Sequence, residues 1–199
     1  MFEFSNCIYD YIEKENVVMK MRRANKEVKN WNEIMEIIRR SETIRLGIHA
    51  QPFPYVVPVS FGYEEVDGVL FLYIHGAAEG YKHTLLKENN NVCVEADILH
   101  CYVHSEAKSG SILTADYESV IGFGVAEPVF GNEAKKGIDL ICSHCGYHGF
   151  ECNNAILSHI KIYKITLQSI TGKKRFEDSE DIKSYIAFNN VRQEKVKKD

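Results

Sequence analysis

The stretch from Leu70 to Lys82, Leu-Phe-Leu-Tyr-Ile-His-Gly-Ala-Ala-Glu-Gly-Tyr-Lys, constrains the chain more than any other. Its first half is a run of apolar and aromatic residues, the composition of a buried β-strand. The strand stops at His75-Gly76-Ala77-Ala78, where small residues leave the backbone open to close approach by a ligand. Gly80-Tyr81-Lys82 then starts a helix over Lys82 to Glu88, with Leu85 and Leu86 on its apolar side and Asn89-Asn90-Asn91 as a stop signal. A strand that feeds a small-residue turn and a helix N-terminus offers open N–H groups and the positive end of a helix dipole. Lys82 adds a full charge. This is the chemistry of a phosphate pocket, without the Gly-x-x-x-x-Gly-Lys-Ser/Thr pattern of a nucleotide triphosphatase.

The remaining chain reads as strands joined mostly by short turns. Asn30 and Glu33 have capping-box spacing, and Trp31, Ile34, Met35 and Ile38 fall on one helical face behind them. Strands are expected at Thr43–Ala50, Tyr55–Tyr63, Leu70–His75, Val92–Asp97, Tyr117–Glu127 and Ile160–Thr171. Gln51-Pro52-Phe53-Pro54 makes one turn, and Asp67-Gly68 marks a tight hairpin. Gly122 and Gly124 suggest a bend or a close neighbour in the fifth strand. A second amphipathic helix covers Asn132–Cys145. Six strands with few helices between them predict a mainly-β fold, a small antiparallel barrel with flanking helices. Residues 1–20 are expected to be an N-terminal extension, 21–176 the barrel domain, and 177–199 a charged C-terminal tail or peripheral helix.

Composition narrows the partners. With 199 residues the chain can bury a large core, and a net charge of −4 with interspersed signs gives no reason to expect nucleic acid. No apolar run is long enough to span a bilayer, so no membrane partner is expected. The acidic start, with Glu3, Asp10, Glu13 and Glu15, does not read as a signal peptide. The six cysteines then fit free thiols in a reducing cytoplasm.

Three segments together resemble a known family. They are Arg45-Leu46-Gly47, then Tyr55-Val56-Val57-Pro58-Val59-Ser60-Phe61-Gly62-Tyr63, then Leu72 through Lys82. Met21-Arg22-Arg23 and Tyr117-Glu118-Ser119-Val120 with Gly122-Phe123-Gly124 agree with them in order and spacing. Over Met21 to Arg175 the chain resembles the Nim proteins, the 5-nitroimidazole-resistance-related members of the pyridoxamine 5'-phosphate oxidase-like flavoproteins. The resemblance implies an FMN-binding split β-barrel that forms a homodimer with flavin at the subunit interface and reduces a small-molecule acceptor such as a nitro-aromatic. It implies that Lys82 pairs with the FMN phosphate, with Tyr81, Gly80 and the Gly76–Ala78 backbone (Gly76, Ala77, Ala78) as further contacts. It places the strand Val57, Pro58, Val59 and Ser60 along the flavin ring, and His75 beside it as the catalytic candidate.

Several residues admit more than one reading. His75 is either a cofactor or substrate contact able to move a proton near neutrality, or a buried histidine satisfied by a carbonyl. Arg45, unusual between Ile44 and Leu46, is a solvated edge residue, a second phosphate cation, or an ion-pair partner of Glu95. Lys173 follows the last strand and is either a solvated turn residue or a flavin contact. Cys142, His144, Cys145, His148 and Cys152 crowd one segment, yet a second ligand pair is missing, so core packing is the preferred reading and no metal is assigned. Besides an FMN-dependent oxidoreductase, the sequence is compatible with a flavin-binding or sensing protein without turnover. A haem-binding split barrel with His75 or His148 on iron is the third possibility. No Gly-x-Gly-x-x-Gly fingerprint supports a separate nicotinamide domain.

Overall fold

The computed structural model describes residues 21–107, 110–150, 152–176 and 186–188. The expected N-terminal extension and most of the charged tail lie outside these residues. A 3-10 turn, Ala24–Lys26, and a two-residue strand β1, Glu27–Val28, lead into helix α1, Trp31–Arg40. Asn30 caps α1 by accepting from the Asn32 N–H at 2.9 Å. The expected return bond from Glu33 is absent among the described contacts; its carboxylate takes Lys174 at 3.2 Å instead. Ile34, Ile37 and Ile38 point into the core.

The sheet is antiparallel and built from β2 (Ile44–Ile48), β3 (Tyr55–Val59), β4 (Phe61–Val66), β5 (Val69–Ala77), β6 (Asn91–Ala107), β7 (Gly110–Val129) and β8 (Ile160–Lys174). Its order is β3-β2-β6-β7-β8-β5-β4, with β1 on β8 and β9 (Ile186–Phe188) on β6. The two edge strands, β3 and β4, are separated in sequence by Ser60 alone. Consecutive Cα atoms are only about 3.8 Å apart, so the sheet must curl until its edges meet. The result is the split barrel expected from the sequence. The closing seam is covalent at Ser60, and among the described residues no ladder joins β3 to β4. One expected strand, Tyr55–Tyr63, is therefore two, because the chain changes partner there: Val59 faces Ile44 on β2, and Phe61 faces Ile74 on β5.

Other departures are local. β6 and β7 run well beyond the expected Val92–Asp97 and Tyr117–Glu127 and form one long hairpin, paired from Asn91↔Val125 to Ala107↔Gly110. Ile186–Phe188, in the segment read as tail or helix, pairs with Tyr102–His104 of β6. The Asp67-Gly68 turn is as expected, with φ of 52° and 79° and Val66 opposite Val69. The ladder slips between Phe123 and Gly124, and a Cβ on Gly124 would lie 2.3 Å from the Thr166 carbonyl oxygen. The close neighbour anticipated there is the backbone of β8.

Two apolar clusters divide the barrel wall. Inside, Leu46, Phe61, Leu70, Leu72, Ile74, Val94, Val120 and Ile165 pack with α1. Outside, helix α3 (Gly131–His144) lies over β4, β5 and β8 and buries Ala134, Ile138 and Ile141 against Tyr73 and Ile162. A Cβ on Gly62 would meet the backbone carbon of Leu140 at 2.4 Å, so α3 rests directly on β4. Two shorter helices complete the frame: α2 (Tyr81–Glu88) and α4 (Asn154–His159), the latter unexpected and capped by Asn153. Among the described residues no helix is long and apolar enough to cross a membrane.

Candidate functional site

β5 alternates between the two sides of the wall. Leu70, Leu72, Ile74 and Gly76 face inward, whereas Phe71, Tyr73 and His75 face outward. At its end the chain turns through Ala78-Glu79-Gly80 into α2. Gly80 occupies the N-cap with φ 139°, a conformation that side-chain-bearing residues rarely adopt, and gives no side-chain cap. His83 and Thr84 donate their N–H groups back to the Gly80 carbonyl, at 3.0 and 3.3 Å. The N–H groups of the residues before them remain open, as at any uncapped helix start.

Lys82 folds back over this turn. Its Nζ donates to the His75 carbonyl at 3.1 Å, and a Cβ on Gly76 would sit 2.6 Å from it. The missing side chain of Gly76 is thus the seat of the ammonium. Among the described residues Lys82 has no carboxylate partner, and desolvation pushes its pKa below the ordinary lysine value. A half-buried cation with no carboxylate partner among the described residues, beside open N–H groups, has the chemistry of an anion cradle.

The turn is tied down from behind by a residue that sequence reading passed over. His83 is buried, with its Nε2 against the Ala77 carbonyl and its Nδ1 2.9 Å from the Tyr163 hydroxyl. The carbonyl can only accept, so Nε2 carries the proton and, in the neutral ring, Nδ1 accepts from the phenol. The two rings stack at 5.5 Å with 12° between planes. Burial, opposed by the Ala77 bond and reinforced by the charges of Lys82, Lys161 and Lys87, holds the imidazole pKa below its usual value. Lys161 reaches this neighbourhood because β8 places it opposite Gly76. That register is non-local, and nothing in the local sequence announces it.

The other expected residues divide into those near the cradle and those apart from it. Tyr81 opens α2, half exposed, with its ring edge-on to Tyr55 at 5.3 Å. Through that contact β3 runs away from the cradle, and Val57 to Ser60 follow at about 7 to 17 Å along the strand from Tyr55. Val57 and Val59 are half-buried toward the core, and Pro58 faces outward on the edge strand, where its missing N–H costs no ladder bond. His75 is exposed on the outer side of β5, opposite the Gly76 seat. Desolvation first, then the nearby charge of Lys82, lowers its pKa. Ala77 and Ala78 form the turn itself, and Ala78 is held by the His159 carbonyl at 3.1 Å.

Arg45 bonds to Glu95 at 2.8 Å and also to Asp97, on the outer face of the sheet. The ion pair weighed as one of its readings is present, with a second carboxylate added. Lys173 lies over the Tyr117 ring, with Ser119 and Glu27 as its strand neighbours. From Lys161 it is on the order of 40 Å along β8, so one chain does not bring it to the cradle.

The cysteine–histidine segment is spread over different environments. Cys142 and Cys152 pack against the outer cluster, Cys145 is exposed, and His144 donates from Nε2 to the Ser41 carbonyl at 2.8 Å while packing on Phe61. Among the described residues no group of three His, Cys, Asp or Glu side chains is gathered for a metal. The five described cysteines are free thiols, as expected, and Cys7 lies outside the described residues.

Comparison with known proteins places this geometry. The family model described as pyridoxamine 5'-phosphate oxidase matches residues 30–174. A candidate 5-nitroimidazole antibiotic resistance protein from Bacteroides thetaiotaomicron superposes with a TM-score of 0.64 at 27% identity, covering 74% of this chain and 85% of that one. A flavocytochrome from Azotobacter vinelandii gives 0.68 at 16% identity over 88% and 85% of the two chains. An FAD- and haem-binding protein from Mycobacterium smegmatis gives 0.61 at 16% over 82% and 84%. The last two likenesses speak for the fold alone. No curated protein matches the chain. The chain belongs to the pyridoxamine 5'-phosphate oxidase family of split-barrel proteins, and within it resembles the 5-nitroimidazole-resistance-related members.

Proposed function

We propose that the chain binds a flavin, specifically FMN, with the phosphate in the cradle at the start of α2 and the ring along Val57–Ser60. The observation that carries this is Lys82: a half-buried ammonium seated over Gly76, without a carboxylate among the described residues, at an uncapped helix start. The site fits the group, since a Cβ at Gly76 would fill the space the ammonium uses. A phosphomonoester would take Lys82 and the open N–H groups of the helix start, with Lys161 as a second cation. The spacing from Tyr81 along β3 suits a ligand with a polar head and an extended ring system.

The flavin, when bound, supplies the redox chemistry. Reduction of a small nitro-aromatic or related acceptor is the activity this reading favours, from the resemblance to the nitroimidazole-resistance proteins. The protein's part is to bind, orient and exclude water. His75, kept neutral near pH 7 by its lowered pKa, is placed to offer a ring hydrogen bond to an acceptor on the outer side of β5.

A homodimer with flavin at the subunit interface belongs to the same proposal. Phe61, Tyr73 and Val120 are already buried within one chain and leave nothing for a second copy to cover. The apolar side chains left exposed near the cradle are Phe53, Val56 and Tyr81, which a second copy would cover.

One purified sample tests this. Flavin absorbance with release of FMN on denaturation, a dimer mass by light scattering, and NAD(P)H-driven turnover of a nitroimidazole are expected. Release of FAD, or a Soret band, would replace FMN with the FAD or haem named for the Mycobacterium smegmatis neighbour.

A further inference from the structure

We infer that His83 is a positioning residue that couples occupation of the cradle to proton uptake: an anion seated on Lys82 draws a proton onto the buried His83 ring. The inference rests on the phosphate position proposed above. His83 lies directly against the cradle. Its Nε2 holds the Ala77 carbonyl, and its Cε1 would be 3.5 Å from a Cβ on Gly76, next to the ammonium of Lys82.

The hydrogen-bond partners suit both protonation states. In the neutral ring Nε2–H donates to Ala77 and Nδ1 accepts from the Tyr163 phenol. In the imidazolium Nε2–H is unchanged and Nδ1–H donates to the same phenol oxygen, which needs only to rotate its hydrogen. No heavy atom has to move, so the switch is purely electrostatic.

The charges around the ring decide which state is held. Lys82 and Lys87 face it from its own helix, Lys161 and the Tyr163 phenol from β8, and β5 presents the Ala77 carbonyl. Without a ligand this setting is cationic and the ring is buried, and both conditions disfavour a further positive charge. A phosphate dianion on Lys82 and Lys161 reverses the local sign and favours the imidazolium. By linkage, the protonated ring strengthens phosphate binding in return. Sequence spacing hides this, because His83 reads as an ordinary helix residue beside the conspicuous Lys82.

The test is a pH titration of the His83 ring resonances in the wild-type protein, identified through their contact with the Tyr163 ring. The protein is saturated in one sample with FMN and in the other with riboflavin, which has the same ring system and no phosphate. The midpoint with FMN is expected to be higher by about one pH unit. Tyr163→Phe, which takes away the acceptor for Nδ1–H, is expected to lower the midpoint with both ligands and leave FMN above riboflavin; a purely structural histidine would show no difference between the two ligands. Equal midpoints with the two ligands, or no titration with either, would overturn the inference. If Lys82→Ala weakens FMN binding while the His83 midpoints coincide, only the role of His83 fails. If Lys82→Ala binds FMN as tightly as wild type, the phosphate position itself is wrong.

Discussion

Lys82 and Lys164 are both half-buried lysines on the wall of the same barrel, and their surroundings could hardly differ more. Lys164 is surrounded by partners: Glu133 at 2.8 Å, Glu64 at 3.8 Å, and the Phe71 ring at 4.2 Å. The Tyr73 hydroxyl lies 2.6 Å from both of those carboxylates, and Lys136 adds a second ammonium. Lys82 has one carbonyl oxygen at 3.1 Å and no carboxylate among the described residues. Burying a charge costs several kcal/mol unless it is paired. The outer cluster meets that cost internally and ties α3 to the sheet. The cradle leaves it unmet, which is the pattern of a site completed by a ligand. Two lysines on one barrel wall therefore sit in opposite settings, and their partners tell them apart.

The sharpest way to break this comparison is to remove the seat of Lys82. Gly76→Val would place side-chain atoms where the ammonium lies, only 2.6 Å from the first new carbon, and is expected to cost about 1–3 kcal/mol in stability. FMN binding should fall with it. If FMN affinity in a titration is unchanged, the ammonium is not positioned by Gly76.

Removing the satisfied lysine should do the reverse. Lys164→Ala leaves Glu64, Glu133 and Tyr73 with less compensation and is expected to lower stability by about 1 kcal/mol in denaturant unfolding, since the cluster is partly solvated. FMN affinity should be unaffected. A loss of FMN affinity comparable with that of the cradle variants would erase the distinction between the two sites.

The smallest expected effect is on acid sensitivity. The folded pKa values of His75 and His83 lie below 6.5, so in that window the unfolded chain binds more protons and stability rises with pH. Ligand-free protein should lose denaturant resistance as the pH falls from about 7 through 6.5, before the carboxylates titrate. Saturating FMN should flatten this dependence, because a phosphate that raises the His83 pKa narrows the gap. A slope of opposite sign in the ligand-free protein would contradict the placement of both histidines.

Much of this was legible in the sequence where the determinants are local. Leu70–His75, the Asp67-Gly68 hairpin, the small-residue turn and the helix after Gly80 follow from periodicity and turn chemistry. The barrel class followed from the spacing of strands. What stayed hidden depends on partners far away in the chain. Ser60 sits within a continuous apolar run, and only the exchange of β2 for β5 as neighbour splits it into two strands. The outer halves of β6 and β7, with His100, His104 and Asp116, carry little alternation and are held as strands by pairing with each other. Lys161 joins the cradle through the β5–β8 register, and His83 became visible only when Ala77 and Tyr163 closed around it. Arg45 was recognisable as a charge needing a partner. That Asp97 would join Glu95 was not, because it depends on the β2–β6 register.

The central claim is that Lys82 is the cation that waits for a phosphate, and a titration of ligand-stripped protein with FMN tests it most directly. Lys135, exposed on α3, serves as the control, because a surface lysine such as Lys87 on α2 bears on the charge of His83. Lys82→Ala should bind FMN about ten- to a hundredfold more weakly than wild type, the loss of one charge-assisted contact, while Lys135→Ala binds as wild type does. Equal affinities for the two variants would mean that the phosphate lies elsewhere and that the cradle at the start of α2 has another purpose.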